Sequence, residues 1–554
     1  MIPGRTGKKH RGPIVAAAVF FGLAVFAAGW LPGRVVWITD NGAKLMMTRQ
    51  FIETGSVFFP ADDPLLFPRC GFHFVRVPGH GFASFHPPFL PVLTAAAVKV
   101  AGDFGTALIP MLCAAALAGL FCRFPLKGKG WLFASAAAAP FCFYAVLLWE
   151  MIPAALAVTL AAWLFARRRV TAAGAVFAAG LWMREELYLL GAVFVFVLLC
   201  SRRWREIRQF ALGAALPLLA LWAVNYALYG HIAGIHGAAY FTNNRPGGGA
   251  GAPVREILFN IHQHLLRFSP APDRSPFFAP LAVLPALIAG AAPDYRAWKP
   301  LKIAAALIFT AAALILTVDL WKQQDLLFVS ARTFGLFLSV PPLLGVMLHW
   351  RALCRDRRTE TATAARAVML YILTVPFLLN PHDVGLTWGA RHFIVVMPLM
   401  LMLGVCAFGR SGCAASGFGR LTAGALCAAG IAMQCYALGA LVKVSSDLEN
   451  LQEEILALPP RTVISDLFFL PEMTPEVPFG KRQLEVTGSI QAAAARRRLE
   501  DAGERSFILL LSPTYRRIDD AALRELLREY PLKAPPEERV IGNSLKLYIG
   551  FCAK

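Results

Sequence analysis

The chain is poor in charged residues. Only 16% of its 554 residues are charged, and acidic residues are the scarcer kind, 34 against 54 lysines and arginines. Soluble domains carry about 25% charged residues, so this composition, with 57% hydrophobic residues, argues against an ordinary soluble protein. Many apolar runs approach the roughly 20 residues that a helix needs to cross a bilayer. The sequence therefore predicts a polytopic helical membrane protein.

Several motifs are also missing. The 11 cysteines are scattered without a C-x-x-C pair, so no cysteine metal site is predicted. No cofactor and no metal-binding residue is assigned, although a divalent metal is left open. There is no convincing nucleotide-binding motif, and no internal repeat of the kind common in secondary transporters. Cys70 and Cys552 both fall outside the predicted spans, and a disulfide between them also stays open.

The net charge is +20, and the positions of the basic residues indicate the topology in the membrane. Basic clusters separate the apolar runs near residues 8–11, 123–129, 167–169, 202–208 and 355–358. Such clusters mark cytoplasmic loops, and this interpretation is favoured over nucleic-acid binding. Alternating the loops gives about thirteen spans, with an uncleaved first span, a cytoplasmic N-terminus and an outer C-terminus. A bacterial inner membrane fits this arrangement.

The chain divides into two predicted regions. Residues 1–444 hold the spans, with a long first outer loop at 33–104. Residues 445–554 alternate charged helical patterns with strand-like segments, which predicts a small α/β domain on the outer side. The expected fold class is an all-α polytopic membrane protein with a small α/β extracytoplasmic domain.

Two apolar runs are too long for one span each. Trp131–Ala166 is predicted to split at Trp149-Glu150, and Val170–Cys200 at Arg184-Glu185-Glu186. Both splits place carboxylates at the outer face. Charges near a bilayer are expensive and tend to mark function, so these turns are candidate parts of a site.

Asp40 is the second residue of the segment "TDNGAKLMMTRQFIETGS" in the first outer loop. The pattern predicts a helix at the membrane surface, with Asp40 at its start. One interpretation makes Asp40 an N-cap paired with Lys44 one turn on, and the other makes it a catalytic group. In "FHPPFLPVL" the double proline after His86 predicts another helix start. Arg391, in "WGARHFIVVMPL", offers a planar fork of donors that suits a phosphate.

In these patches the sequence resembles the GT-C glycosyltransferases. These membrane enzymes use polyprenyl-phosphate sugars and include protein O-mannosyltransferases and lipid A aminoarabinose transferases. The resemblance covers the whole chain in topology and only the short patches in motifs. It implies that Asp40 is the catalytic base and Glu150 the second acid of the site. Lys44, His86, Arg184, Glu185 and Arg391 are the candidate substrate-binding residues.

Two positions depart from the pattern of that family. Relatives often have Asp-Glu where this chain has Asp40-Asn41, and often a lysine where it has His86. That lysine is implicated in binding the lipid phosphate, so His86 or Arg391 would have to take its place. The implied partners are a polyprenyl-phosphate sugar, a glycan, lipid or protein acceptor, and membrane lipids, with no nucleic acid.

Other candidates have structural interpretations. Asp62-Asp63 resembles a metal-binding pair, but a solvated acidic turn is favoured. Arg184 and Glu185 could form a plain ion pair in a tight turn. The Gly-rich segment at 246–251 is a lid or, preferably, a connector, and His262 and His264 are expected at the surface.

The expected function is sugar transfer from the carrier to an acceptor at the outer face, with inversion. The alternatives are a polysaccharide polymerase or ligase, a transporter or flippase of lipid-linked sugars, and a non-catalytic scaffold. A polymerase or ligase usually has its main outer loop late in the chain. A transporter would place ionisable residues at mid-membrane, whereas here the acids lie at the predicted outer edge.

Overall fold

A computed structural model of the chain gives the fold. It describes residues 11–31, 33, 35–60, 73–124, 126, 128–235, 254–266, 278–292, 298–322, 335–355, 359–378, 391–410, 416–467, 469–486, 488–513, 518–541 and 545–554.

Helices dominate these ranges. In chain order they are α1 Arg11–Ala28, α2 Thr39–Thr54, α3 Phe89–Ala101, α4 Gly105–Phe121, α5 Lys129–Ala137, α6 Phe141–Ala145, α7 Met151–Ala166, α8 Val170–Gly180, α9 Leu187–Cys200, α10 Trp204–Tyr229, α11 Val254–Ile261, α12 Phe278–Ala291, α13 Lys299–Lys322, α14 Leu336–Ser339, α15 Leu344–Arg355, α16 Thr359–Leu378, α17 Met397–Arg410, α18 Gly417–Ala457, α19 Leu470–Met473, α20 Val477–Gly480, α21 Ser489–Asp501 and α22 Asp520–Glu529.

Among the residues described, five segments are long and apolar enough to cross a membrane. They are Phe89–Phe121, Trp204–Tyr229, Lys299–Lys322, Glu360–Leu378 and Gly417–Ala457. Six further apolar helices are shorter, including α7, α8 and α9. The helical membrane fold is thus present, and the number thirteen for the spans stays a prediction.

The two predicted splits of the long apolar runs fall at helix boundaries. α7 begins directly after Glu150, and α8 and α9 flank residues 184–186. The segment before Glu150 is not one continuous helix, however, because Lys129–Ala137 and Phe141–Ala145 form two short helices. Pro140 follows the first of them, and proline cannot donate the backbone hydrogen bond that a continuous helix needs.

Strands form two sheets. β1 Phe74–Val77 and β2 Gly81–Ser84 make an antiparallel hairpin within the first predicted outer loop. The others, in the C-terminal region, are β3 Thr462–Ser465, β4 Arg482–Glu485, β5 Ser506–Leu511, β6 Glu537–Ile541 and β7 Leu545–Ala553. They form one sheet in the order β4-β3-β5-β7-β6, in which β3 pairs parallel with β4 and β5 while β7 pairs antiparallel with β5 and β6.

Each face of this larger sheet packs against a different core. On β5, Ile508 and Leu510 join the large core of the helical region, whereas Phe507 and Leu509 join a second core with α21 and α22. This division follows from the alternation of side chains along a strand. The C-terminal sheet is therefore packed onto the helical region.

Helix α18 joins the two regions without a break. It runs for 41 residues, from Gly417 to Ala457, through position 445 where the sequence suggested a domain boundary. The Ser445 hydroxyl donates to the carbonyl of Val36, just before α2. Near its end Glu454 forms a two-pronged ion pair with Arg539 of β6. The helix thus ties the sheet to the segment that leads into Asp40.

Candidate functional site

Asp40 lies in the first turn of α2. The N-cap position belongs to Ile38, which makes no side-chain hydrogen bond to the helix. The interpretation of Asp40 as an N-cap is therefore wrong. α2 is buried within the protein from Asp40 to Thr48, and its place at the membrane surface stays a prediction. Gly55, in the left-handed region at φ 71°, ends the helix and donates to Phe51.

Arg391 and His73 hold the Asp40 carboxylate. Arg391 Nη1 donates to Asp40 Oδ2 over 2.9 Å, and His73 Nε2 lies 3.1 Å from Oδ1. Burial raises the pKa of Asp40, but the hydrogen bond from His73 and the charge of Arg391 outweigh it and hold the pKa well below its usual value. Asp40 is thus an ionised carboxylate at neutral pH.

Lys44 lies one turn further along α2. Its Nζ is 2.8 Å from Glu150 Oε2, so its direct ion-pair partner is Glu150 and the predicted pair with Asp40 is wrong. Burial lowers the pKa of Lys44, and the charge of Glu150 opposes that shift. The Asn41 side chain donates to the carbonyl of Leu148 over 3.2 Å, which fixes the turn before Glu150 against α2.

Arg184 extends this network to the second turn. Its Nη1 lies 3.4 Å from Glu150 Oε1, and its guanidinium donates to both carboxylate oxygens of Glu186. Of the two interpretations left open for Arg184, a plain ion pair with Glu185 and a role in a site, the first is not what these contacts show, since Arg184 pairs with Glu186 and Glu150. Burial raises the pKa of Glu186, yet the Arg184 charge and the hydrogen bond from His392 lower it well below its usual value.

His392 closes the network. Its Nδ1 lies 3.1 Å from Glu186 Oε1, and Arg391 Nε donates to its Nε2 over 3.3 Å. Burial lowers the pKa of His392 although Glu186 opposes the shift, so the ring is neutral at pH 7. The polar side chains thus form one continuous chain of contacts that begins at Asp40 and ends at Lys44, both in α2. In order, its members are Asp40, Arg391, His392, Glu186, Arg184, Glu150 and Lys44.

Glu185 lies apart from this network. It lines a mostly apolar cavity of about 330 Å³ with Trp182, Tyr188, Asn225 and Tyr229. Other lining residues include the double proline that follows His86 and the first residue of α3. The cavity therefore adjoins the site through the His86 segment, and any contact of Glu185 with a substrate would be made there.

The C-terminal region adds an acid that the sequence did not reveal. Glu472 of α19 has a fully buried side chain, whose Oε1 accepts from the His73 backbone N–H over 3.0 Å. The same oxygen lies 3.9 Å from His73 Nδ1. The backbone of Glu472 packs against α2 at Gly42, where a Cβ would overlap the Glu472 carbonyl oxygen. Residues 445–554 thus contribute directly to the site.

The structure brings six of the seven predicted site residues into this region. They are Asp40, Lys44, His86, Glu150, Arg184 and Arg391. His86 lies beside His73, with ring centroids 5.2 Å apart. The residues missed are His73, His392 and Glu472, whereas Glu186 was named as part of the predicted turn but given no role. Glu472 had a signal, because it stands alone in the otherwise uncharged stretch "LFFLPEMTP".

Several predicted features lie outside the described residues. These are Asp62-Asp63, Cys70, the Gly-rich segment 246–251 and the side chain of His264. Cys552 is a buried free thiol in β7. His262 is half-buried rather than at the surface.

Comparisons with known proteins add a likeness of fold. No family model matches the sequence, and no curated protein matches it. Among solved structures, ArnT from Cupriavidus metallidurans in the apo state has a TM-score of 0.49 and 12% identity, covering 96% of this chain and 97% of that one. The same protein bound to undecaprenyl phosphate has a TM-score of 0.40 and 15% identity over the same shares. Both TM-scores lie below 0.5.

Proposed function

We propose that the chain is a membrane glycosyltransferase that moves a sugar from a polyprenyl-phosphate carrier to an acceptor at the outer face of a bacterial inner membrane. The observation that carries the proposal is a convergence on Asp40. Arg391, 351 positions away, donates to its carboxylate over 2.9 Å, and His86 lies beside the same carboxylate. These residues come from the three patches that resemble the GT-C glycosyltransferases.

The charges suit a reaction with an anionic leaving group. A sugar on polyprenyl phosphate departs from a phosphate, which needs a nearby cation and an acceptor held in line. Arg391 is the best placed cation, because its planar guanidinium can donate two parallel hydrogen bonds to a phosphate. His86 is the second candidate for the phosphate.

Asp40 is the proposed base for the acceptor. While Arg391 is paired with it, Asp40 has a low pKa and is a weak base. A donor phosphate would compete for Arg391, and loss of that ion pair would raise the pKa of Asp40 toward the range in which a carboxylate takes a proton more readily. Donor binding would in this way prepare the base.

Glu150 is proposed to position these groups through the charge network. It lies between Lys44 and Arg184, at 2.8 Å and 3.4 Å, and these two cations are the candidate contacts for polar groups of the sugar or acceptor. Inversion at the anomeric carbon follows from a single in-line displacement by the acceptor.

Asp40→Asn tests the proposal. The amide keeps the size of the side chain but takes no proton at neutral pH, so transfer should fall at least about a hundredfold. The variant would be expressed in cells that lack the gene, and sugar-bearing lipids and glycans of the envelope would be measured by mass spectrometry against wild type. Asp103→Asn, an exposed change in the same predicted loop, is the matched control and should transfer normally. Near-normal transfer by Asp40→Asn at equal protein levels would contradict the proposed role.

A further inference from the structure

Three side chains with metal-binding atoms meet within the first predicted outer loop. Asp40 comes from α2, His73 precedes β1, and His86 follows β2. One carboxylate or imidazole atom of each lies within 4.8 Å of the others. The hairpin of β1 and β2 joins the two histidines, so a rigid turn sets the spacing between them.

The spacing is close to that of a coordination sphere. His73 Nε2 and Asp40 Oδ1 are 3.1 Å apart, and two ligands of a tetrahedral zinc ion with bonds near 2.0–2.1 Å are about 3.3 Å apart. Bringing the His86 atom from within 4.8 Å to about 3.3 Å requires a movement of at most about 1.5 Å. Three protein ligands would leave a fourth position open.

Glu472 stands where a supporting carboxyl group is expected. A histidine that binds metal through one ring nitrogen usually faces a carboxylate or carbonyl with the other. His73 points Nε2 at Asp40, and its Nδ1 lies 3.9 Å from Glu472 Oε1. The same Glu472 oxygen accepts from the His73 backbone, which fixes the position of the ring.

The local charge favours a cation even though Arg391 is near. Asp40 and Glu472 are two carboxyl groups beside the single guanidinium of Arg391. In the adjoining network the cations Lys44 and Arg184 balance the acids Glu150 and Glu186. The two carboxyl groups and the one guanidinium leave an excess of one negative charge around the position between Asp40 and His73.

We propose that Asp40, His73 and His86 bind a divalent transition ion such as Zn²⁺, with Glu472 orienting His73. Two imidazoles and one carboxylate are a donor set that suits zinc and its neighbours, whereas Mg²⁺ and Ca²⁺ take oxygen ligands. The proposal goes beyond sugar transfer and holds whether or not the chain is a transferase. A bound ion would make Asp40 a ligand, so an ion-bound chain would not use Asp40 as the base, and the two roles of Asp40 exclude each other in one molecule.

Direct metal binding is the test. Full-length protein in detergent would be stripped with EDTA and freed of chelator, then titrated with ZnCl₂, and bound zinc would be measured after gel filtration. Wild type should bind about one Zn²⁺ per chain. His73→Ala and His86→Ala should each weaken binding by at least about tenfold, and Glu472→Gln should weaken it by about 10- to 100-fold. His80→Ala, an exposed histidine of the same hairpin, should bind like wild type.

The proposal is overturned if wild type retains no more zinc than the combined His73→Ala and His86→Ala variant. Should an alanine variant fail to fold, Co²⁺ added to wild type decides the question. Intense visible absorption of tetrahedral Co²⁺ supports the site, and the weak spectrum of hydrated Co²⁺ overturns it. Stoichiometric zinc without sugar transfer would refute only the proposed function, and transfer by a chain that binds no zinc would refute only the metal site.

Discussion

Lys44 and Glu150 form an ion pair that is almost closed to solvent, with side-chain exposures of 1% and 9%. Taking two charges out of water is costly, and the pair tolerates this because each charge is met by the other and Glu150 also faces Arg184. Removing one partner leaves the other buried without its main counter-charge. The network therefore tolerates few substitutions. Removing one charged residue leaves the desolvation cost of its neighbour uncompensated.

Lys44→Ala should lower the free energy of unfolding by about 3–5 kcal/mol, because Glu150 stays buried without its ion-pair partner. Adding Glu150→Gln to it should cost less than the sum of the two single changes. Denaturant titration in detergent measures both. Lys443→Ala, which breaks the more exposed pair with Asp447, is the control and should change stability by less than about 1 kcal/mol. Additive effects of Lys44→Ala and Glu150→Gln would show that the pair is not coupled.

Sequence patterns identified the charged residues that stand beside apolar runs. Asp40, Glu150 and Arg184 were found in this way, since charge is rare near predicted membrane edges. The partners were less predictable. Whether Arg184 pairs with Glu185 or Glu186 depends on the direction of two neighbouring side chains in one turn, which periodicity does not give. His73 had no signal, because a single histidine in a loop looks the same whether or not it meets Asp40.

At the scale of elements, the contact between α2 and α19 depends on one missing side chain. Gly42 lets the Glu472 backbone approach α2 so closely that a Cβ would overlap its carbonyl oxygen. The small residue therefore sets the position of Glu472, and through Glu472 the position of His73. A glycine inside a helix lowers its stability by about 0.5–1 kcal/mol relative to alanine. At position 42 the close approach of Glu472 explains why glycine is present despite this loss of stability.

Gly42→Ala should destabilise the protein by about 1–3 kcal/mol, because α19 has to move away from α2. It should also reduce sugar transfer, since His73 loses its fixed contact with Glu472. Thermal unfolding and the envelope assay measure the two effects. Gly439→Ala, in α18 with open space around the added methyl, should leave stability equal or slightly higher. If Gly42→Ala and Gly439→Ala have equal stability and equal transfer, the close approach of Glu472 does not explain the glycine at position 42.

Element types were largely predictable and their ends were not. The short apolar run in "SFILLLS" and the strand-like pattern of "SLKLYIGF" predicted β5 and β7, and charged helical patterns predicted α21 and α22. The polar strands β4 and β6 were missed, because each lies at an edge of the sheet and carries no apolar run. The break between α5 and α6 was missed because it lies inside an uninterrupted apolar stretch.

At the scale of the molecule, the predicted orientation in the membrane rests on charge. Basic loops are predicted on the cytoplasmic side, and the C-terminal sheet and Asp40 are then expected outside. The contact of Glu472 with His73 requires that both lie on one side of the membrane. The sequence analysis placed His73 and Glu472 in two separate regions. A contact between two side chains that are far apart in the chain leaves no local sequence pattern that would predict it.

Cysteine labelling of intact cells tests this orientation. Ile490→Cys lies at an exposed position of α21, with 86% of its side chain accessible, and should react with a membrane-impermeant maleimide before lysis. Arg205→Cys, exposed in a predicted cytoplasmic loop, should react only after permeabilisation. Wild type gives the background from native thiols. Protection of Ile490→Cys in intact cells would reverse the orientation.

The bond between His73 and Glu472 spans 399 positions of the chain, and this separation has a consequence for biosynthesis. A ribosome adds about 5–20 residues per second, so Glu472 leaves it about 20 to 80 s after His73. During that interval His73 lacks the acid that accepts its backbone hydrogen bond. Nascent chains and prematurely terminated chains that have not reached Glu472 therefore lack part of the site. The site is completed only when the last fifth of the chain is translated.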